Sequence, residues 1–246
     1  MDVHEIIVDA IKYPASSWRK FITLAMLFLL LKSLTLFRVL PKYPLISATL
    51  SLILTLIPLF LVIGYIFRNL KTTIAGSDEL PEFDKLGGMF IDGLKVLLVS
   101  IIYMIIPGII IGAIIYLNIP NSTIRIITQS IGVIVTIIFI LLANIAIAHM
   151  ASKKGQFKAA FHVREVTNAI SKIGWGKYII WYIIVIIIIG IIRYAVTFII
   201  KLGYIGLSMV ISPLVSYIIA SILSAIFISS YISLFYSRAL GLLYPK

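Results

Sequence analysis

The stretch YIIWYIIVIIIIGIIRYAVTFII, residues 178–200, contains one charged side chain, Arg193, among its 23 residues. A helix crosses the hydrocarbon core of a bilayer with about 20 apolar residues, whereas the strands of membrane barrels alternate apolar and polar side chains. The stretch therefore predicts a transmembrane helix, in which every backbone polar group is satisfied within the segment itself.

The same pattern extends over most of the chain. Hydrophobic residues make up 61% of the sequence and charged residues 12%, with a mean hydropathy of +1.15, while a soluble domain carries about 25% charged residues. The sequence predicts an all-α integral membrane protein with six transmembrane helices in a single membrane domain, residues 1–246. The predicted spans are Phe21–Phe37, Pro44–Phe67, Val96–Leu117, Ile124–Ala148, Tyr178–Ile200 and Ser208–Tyr236, the last of them broken by Pro213.

The basic residues predict the orientation of these spans. Of the 21 Lys and Arg residues, 15 lie in the N-terminal segment, in the connections 67–95 and 149–178, and at the C-terminus. Because basic residues accumulate on the cytoplasmic side, we expect a multi-pass protein of the cell membrane with both termini in the cytoplasm. The net charge of +12 is consistent with attraction to anionic lipid headgroups, which are the expected partners. Nucleic acid is not expected as a partner, because no polar segment combines basic residues with stacking aromatic residues.

An internal repeat divides the chain into three. The sequence VDAIK at 8–12 recurs as IDGLK at 91–95 and, more weakly, as TNAIS at 167–171. Each copy lies just before an odd-numbered span, at the end of a short segment with helical amphipathic spacing. The sequence therefore predicts three repeats, each an interfacial amphipathic helix followed by a transmembrane hairpin. The units run over residues 1–68, 78–150 and 157–238, approximately.

The predicted apolar faces follow from helical spacing. Five residues form this face in the first segment: Val3, Ile6, Ile7, Ala10 and Ile11. In the second segment the predicted face contains Leu86, Phe90, Leu94 and Leu97, and in the third Phe157, Phe161, Val166 and Ile170. Such helices lie along a membrane surface rather than across it.

Three sequence motifs resemble a known family. GYIFR at 64–68, DELPEFD at 78–84 and FIDGLK at 90–95, together with IKYP at 11–14, are similar to an archaeal membrane-protein family catalogued as domain-of-unknown-function family 4013. The resemblance implies a multi-pass membrane topology over most of the chain. It implies no activity, since the family has none that can be carried over.

The connection after the second span is rich in acids, with five of the nine acidic residues between positions 78 and 92. One interpretation is a divalent-cation or headgroup site, in which Glu82 and Asp84 offer hard oxygen ligands. The other is a helix start, with Pro81 at the first helical position and Glu82 and Asp84 beside the positive N-terminus. We favour the helix start.

The repeat also suggests a clamp between its parts. Asp9 and Asp92 occupy the same place in two repeats, and Arg68 or Arg238, at the end of an even-numbered span, could meet Asp92 or Asp9 and fasten the amphipathic helix to a hairpin. This hypothesis and the basic inner face give a set of candidate structural or headgroup-contact residues. They are Asp9, Lys12, Arg68, Glu82, Asp84, Asp92, Lys95, Lys172 and Arg238.

Several activities are disfavoured by what the sequence contains. There is no cysteine, which excludes thiolate metal sites, thiol nucleophiles and disulfides. The three histidines do not have metal-ligand spacing, and no acid lies within a predicted span, where ion-coupled transport would need one. His162 and Glu165 have the spacing of an acid–base pair, without a nucleophile motif. We predict no catalytic residue, no metal and no cofactor.

Hydroxyl side chains recur along two spans, Ser47, Ser51 and Thr55 in the second and Ser212 and Ser216 in the sixth. They are candidates for lining a cavity, although small-residue packing between helices explains the same pattern more often. The leading interpretation is a non-catalytic membrane component that binds lipid headgroups, a protein partner or a second copy of itself through its cytoplasmic amphipathic helices. The alternatives are a passive permease or lipid-translocating protein and a membrane-embedded lipid enzyme.

Overall fold

The computed structural model describes residues 2–36, 44–117 and 121–245, and all regular secondary structure within these ranges is helical. The helices are α1 (Val3–Lys12), α2 (Trp18–Leu36), α3 (Pro44–Ile74), α4 (Leu86–Leu117), α5 (Ser122–Ser152), α6 (Val163–Ile173), α7 (Trp175–Ser208), α8 (Pro213–Ser224) and α9 (Tyr231–Leu243). Two 3₁₀ turns, Tyr13–Ala15 and Phe157–Phe161, precede α2 and α6, and a π-helical segment, Ala225–Ser230, joins α8 to α9.

Five stretches of the described helices are long and apolar enough to cross a bilayer: Leu54–Ile74, Leu86–Leu117, Ser122–Ser152, Trp175–Ser208 and Pro213–Leu243. The protein is therefore a helical membrane protein. Helix α2 corresponds to the predicted first span and carries three basic residues, Arg19, Lys20 and Lys32, in 19 positions. The predicted span continues to Phe37, outside the described residues, so the total of six spans stays a prediction.

One end of the bundle collects α1, residues 75–85, the 3₁₀ turn before α6, α6 itself and Tyr244; we call this end the base. Part of the apolar side chains of α1 and α6 is buried in a single core that also contains residues of α5, α7 and α9. Ile6, Ile7 and Ala10 carry the contact of α1, and Val166 and Ile170 that of α6. Protein covers these residues, whereas Ile11 of the predicted face is 40% exposed, and the location of both helices in the membrane interface stays a prediction.

The second predicted interfacial helix is not a separate element, because α4 continues without a break from Leu86 into the span. Its buried face is also not the predicted one. Met89 and Gly93 are buried, whereas Leu86 is 53% and Leu94 37% exposed. Packing against α3 decides which face is covered: Gly93 allows the two backbones to meet, and Met89, one turn earlier on the same face, is buried with it.

Helices α3 and α4 approach each other through two glycines. A Cβ atom on Gly64 would lie 1.8 Å from the carbonyl oxygen of Met89, and one on Gly93 would lie 2.0 Å from that of Phe60. The two backbones are therefore in direct contact, as at small-residue helix interfaces in membranes. Gly64 belongs to the GYIFR motif and Gly93 to FIDGLK, so these two motifs touch.

Two local predictions were wrong. Pro213 does not break a helix: it opens α8, with the Ser212 hydroxyl accepting a hydrogen bond from the Val215 amide at 3.4 Å, because proline suits the first helical turn. Pro81, by contrast, does not open one. Residues 78–85 are non-helical, Lys85 has a positive φ of 48°, and α4 begins only at Leu86.

Candidate functional site

Arg238 is the centre of a polar cluster at the base. Its guanidinium is 2% exposed and contacts both oxygens of the Asp9 carboxylate, at 2.6 Å from Nε and 3.2 Å from Nη2. It also donates to Asp78 Oδ1 at 2.6 Å and to the Ser77 carbonyl at 2.7 Å, and it stands 4.6 Å from the centre of the Tyr13 ring. One side chain of α9 thus joins α1 to the 75–85 connection with charge-assisted hydrogen bonds.

A second chain of hydrogen bonds runs beside it. The Tyr13 hydroxyl donates to Asn69 Oδ1 at 2.5 Å and contacts the Glu79 carbonyl at 3.1 Å, while Asn69 Nδ2 donates to the Ser237 hydroxyl at 2.7 Å. Asn69, Ser237 and Tyr13 are at most 4% exposed. Burial, against the opposing charge of Arg238, raises the pKa of the Tyr13 phenol to about 12. Sequence reasoning named Tyr13 only as part of the IKYP motif, without a role, and did not find Asn69 or Ser237.

Cationic and aromatic side chains from α2 and α3 hold residues 80–84 in place. Lys20 donates to the Leu80 carbonyl at 2.6 Å and pairs with the Glu82 carboxylate at 2.7 Å. Arg68 donates to the carbonyls of Glu82 and Asp84, at 2.9 and 2.8 Å, and pairs with the Asp84 carboxylate. The carboxylates of Glu82 and Asp84 are therefore engaged by cations of the same chain.

The Tyr65 side chain completes this attachment. Its ring stacks on Phe83 with centres 3.8 Å apart, and its hydroxyl donates to the Pro81 carbonyl at 3.0 Å. Tyr65 and Arg68 lie in the GYIFR motif, and Pro81 and Phe83 in DELPEFD. The three motifs that resemble the family thus form one contiguous structure.

Asp92, the counterpart of Asp9, contacts two lysines, Lys71 at 3.4 Å and Lys95 at 3.7 Å. Lys95 also donates to the Gly155 carbonyl at 3.0 Å, which brings the connection after α5 against α4. Arg68 therefore meets Asp84 rather than Asp92, and Lys71, one turn further along α3, takes the place that the clamp hypothesis gave to Arg68.

A third acid–base contact occurs between α5 and α6. His149 is 4% exposed, and its ring lies between the Glu165 carboxylate, 3.1 Å from Nε2, and the Tyr244 hydroxyl, 2.6 Å from Nδ1. Although desolvation acts to raise the pKa of Glu165, the charges of Lys153 and His149 and a hydrogen bond from His162 hold that pKa below its ordinary value. The predicted His162–Glu165 contact is present at 3.1 Å. The contact between His149 and Tyr244 is known only from the structure, because the two residues are 95 positions apart in the sequence.

Two adjoining cavities open beside this contact. One, of about 580 Å³, is lined by His149, Ser152, Lys153, Glu165 and Tyr244 among others, and the second, of about 410 Å³, by Thr73, Lys177 and Gly241 among others. Lys172, Tyr244 and Pro245 line both. We call the two together the basal groove. Its three lysines outnumber its one acid, so the groove is basic.

The other predicted residues are distributed over the molecule. Lys12 is exposed at the end of α1. The side chains of Ser47 and Ser51 lie outside the described residues, and Thr55 is half-buried. Ser216 is buried and donates to the Ser212 carbonyl at 3.2 Å. The cavity that Ser216 lines, of about 380 Å³, lies between α7 and α8 rather than between the second and sixth spans, and its walls are mainly aliphatic.

Within the described parts of the chain, no group of three or more His, Cys, Asp or Glu side chains has the geometry to hold a metal ion. Three carboxylates of the acidic connection, those of Asp78, Glu82 and Asp84, face Arg238, Lys20 and Arg68 in turn, which favours a structural role for them over a cation site.

Comparison with known proteins gives a family without an assigned activity. An uncharacterized protein of Methanocaldococcus jannaschii (MJ1189) is 30% identical over 179 residues, which cover 69% of this chain and 59% of that protein. No solved structure matches the chain. The family described as "Protein of unknown function (DUF4013)" matches residues 48–201, which include the interlocking motifs described above. The chain belongs to this DUF4013 family.

Proposed function

We propose that the protein is a non-catalytic membrane component whose base faces the cytoplasm and binds anionic lipid headgroups in the basal groove. The observation that carries the proposal is the lining of that groove. Lys153, Lys172 and Lys177 are found there with the hydroxyls of Ser152 and Tyr244. Ammonium and hydroxyl groups at the end of a helical bundle suit the phosphate of an anionic lipid.

The proposal places ligand recognition in the groove rather than on the faces of the amphipathic helices. Most of each face is covered by protein, although Ile11 of α1 is 40% and Val163 of α6 60% exposed. Lys172 of α6 is the one member of the predicted contact set that lines the groove. Asp9, Arg68, Glu82, Asp84, Asp92, Lys95 and Arg238 are engaged in contacts within the chain, which suits a structural role.

Three acid–base contacts support a ring of three repeats, over residues 1–68, 78–150 and 157–238, as the framework of this component. Asp9 of the first unit contacts Arg238 of the third, and Glu165 of the third contacts His149 of the second. Asp92 of the second contacts Lys71, which lies three residues after the end of the first unit. Each acid thus contacts the end of an even-numbered span, that of the preceding unit in a closed ring. With α2 as the first crossing helix, the ring has six spans.

Thermal unfolding in detergent tests the headgroup proposal, since a ligand that binds the folded state stabilises it. Short-chain phosphatidylglycerol is expected to raise the midpoint of unfolding, phosphatidylcholine to raise it less, and added salt to reduce the difference. Lys172→Gln is expected to weaken the apparent affinity for phosphatidylglycerol by about fivefold, the effect of one lysine near a headgroup.

Lys158→Gln is the matched control. Lys158 is an exposed lysine of the same end of the molecule and does not line the groove. If Lys172→Gln and Lys158→Gln weaken binding equally, the attraction is a general effect of net charge and the groove is not the site. Equal stabilisation by the two lipids would also reject the proposal.

One observation favours a second function, a membrane-embedded enzyme acting on lipid. Tyr244, His149 and Glu165 follow one another at 2.6 and 3.1 Å beside the larger cavity of the groove, and a histidine held between a carboxylate and a hydroxyl can transfer protons. Mass spectrometry of lipid incubated with the protein would reveal product. If Tyr244→Phe abolishes product formation while the thermal stability of the variant equals that of the wild type, the enzyme is favoured over the binding component.

A further inference from the structure

A further cavity, in which lysine and hydroxyl side chains meet an apolar wall, lies at the half of the bundle remote from the base. It has a volume of about 210 Å³ and is lined by residues of α2, α7 and α8, including Lys32, Lys201, Tyr217, Ser221 and Ser224. Lys201 is 26 residues after Trp175, about 39 Å along an ideal helix, and Ser224 precedes the end of α9 by 19 residues. We call this cavity the distal pocket.

The distal pocket concentrates positive charge. Two of its lining residues are lysines, and the charge of Arg193, on the same helix as Lys201, also acts on Lys32. The nine acidic residues of the chain all lie within positions 2–9, 78–92 and 165, which belong to the base and its approaches. No acidic side chain of this protein therefore balances the charge at the distal end.

Hydroxyl groups accompany the lysines. Lys32 Nζ donates to the Ser224 hydroxyl at 3.0 Å, and Ser221 lies one turn before Ser224 on α8. Tyr217 and Thr197 add two further hydroxyls to the wall. A cavity that combines ammonium groups with several hydroxyl donors suits a phosphate, whose oxygens accept several hydrogen bonds at once.

The helix geometry beneath the pocket is irregular. The α-helical register of α8 ends at Ser224, and the next six residues, Ala225–Ser230, are π-helical. Such interruptions are frequent at functional sites in membrane and soluble helices. On the other side of the α7–α8 contact lies the aliphatic cavity of about 380 Å³, which shares Ile200 and Ala220 with the distal pocket.

We propose that the distal pocket binds the phosphate of an anionic lipid of the leaflet remote from the base, with Lys32 and Lys201 as the cationic contacts and Ser221 and Ser224 as hydroxyl donors. A lipid rather than a free anion is favoured by the surroundings. The pocket opens between apolar helices, and acyl chains can lie along the exposed aliphatic side chains of α7 and α8. This site is separate from the basal groove and does not depend on it.

Native mass spectrometry of the full chain, equilibrated with dioleoyl phosphatidylglycerol or dioleoyl phosphatidylcholine, tests the proposal. Wild-type protein is expected to retain phosphatidylglycerol preferentially, and Lys32→Gln and Lys201→Gln are each expected to lower its retention by about fivefold. Lys201 is exposed, so its variant remains informative if Lys32→Gln fails to fold. Lys172→Gln, in the basal groove, should leave this component of binding intact.

Arg125→Gln is the matched control, because Arg125 is an exposed basic residue at the start of α5, outside the pocket. If Arg125→Gln lowers the retention of phosphatidylglycerol as much as Lys201→Gln does, the proposal is overturned. Equal retention of the two lipids by the wild type would overturn it as well. A third arm adds inorganic phosphate to the wild type. Displacement of the lipid by phosphate at equal concentration would assign the pocket to a free anion and overturn the lipid assignment.

Discussion

Arg238 Nε lies 2.6 Å from Asp9 Oδ1, although 229 positions of the chain separate the two residues. This contact fastens the first helix to the last. Because Arg238 is almost fully buried, its positive charge is compensated by the acids that face it, Asp9 and Asp78. The contact therefore determines how the N-terminal helix is oriented on the bundle, and it closes the base between the two ends of the chain.

Asp9→Asn is the direct test of this closure. The substitution leaves a buried guanidinium with one carboxylate instead of two, and we expect the free energy of unfolding to fall by about 1–3 kcal/mol. Thermal unfolding in a fixed detergent measures the loss. Glu79→Gln, a neutralised exposed acid of the neighbouring connection, is the control and should change little. A similar effect of both variants would mean that net charge, rather than the ion pair, matters.

The α3–α4 contact gives a steric prediction. Gly93→Ala would place a methyl group where the Phe60 carbonyl oxygen already lies, so the helices must separate, at a cost of about 3 kcal/mol or more. Gly112→Ala, on the same helix with no atom within 4 Å of the added carbon, should be neutral or slightly stabilising. Comparison of the two unfolding midpoints checks this. A neutral Gly93→Ala would mean that the helices are further apart than described.

These two contacts show what the sequence could predict. Hydrophobic runs predicted helical membrane segments, and the position of Asp9 in the repeat suggested an arginine partner, because both features are local or periodic. The conformation of residues 78–85 was not predictable in the same way. Pro81 is compatible with a helix start, but side chains of Lys20, Tyr65 and Arg68 hold this connection in a non-helical form.

The basal groove was unpredictable for a related reason. His149 and Tyr244 have no common pattern in the sequence, and only the end of α9 brings the tyrosine to α5. The buried face of α4 was mispredicted because amphipathic spacing ranks residues by hydrophobicity, while close helix contact selects the residue with the smallest side chain, Gly93. Long-range packing, rather than local propensity, determines both the contact of His149 with Tyr244 and the buried face of α4.

Tyr13→Phe predicts a pH-dependent difference in stability. At neutral pH the variant loses the hydrogen bond to Asn69, whose oxygen stays buried, and we expect a loss of about 1–3 kcal/mol. The pKa of Tyr13 is raised from 10.0 to about 12 in the folded state, so folding favours the neutral phenol. The contribution of this residue is therefore complete below pH 10.0 and is lost as the pH rises through about 12.

Thermal unfolding of wild type and Tyr13→Phe over this alkaline range measures the effect. The two stabilities should converge as the pH rises. Tyr116→Phe is the control, because Tyr116 is 89% exposed and its loss should not alter the pH profile. If the difference in stability between wild type and Tyr13→Phe stays constant across the range, the pKa of Tyr13 does not change on folding.

The Glu165 contact predicts the opposite dependence. The pKa of this carboxyl is below its ordinary value of 4.5 in the folded state, so folding favours the carboxylate. Its contribution is present above pH 4.5 and is lost as the pH falls below that value. Wild type should therefore be more stable than Glu165→Gln at neutral pH, and the difference should shrink in acid. Unfolding midpoints of the two proteins, measured at neutral pH and in acid below pH 4.5, check this. A difference in stability that grows in acid would contradict the prediction.

The absence of cysteine from the chain allows the orientation to be tested with single introduced thiols. Met209→Cys and Glu79→Cys place a thiol at exposed positions after α7 and in the 75–85 connection, respectively. If the base faces the cytoplasm, as the distribution of lysine and arginine predicts, a membrane-impermeant maleimide added to intact cells labels only the first. In permeabilised cells both variants should be labelled, which shows that both thiols react with the maleimide. Labelling of Glu79→Cys alone in intact cells would reverse the orientation, and would place the basal groove at the outer surface, away from the cytoplasmic headgroups that it is proposed to bind.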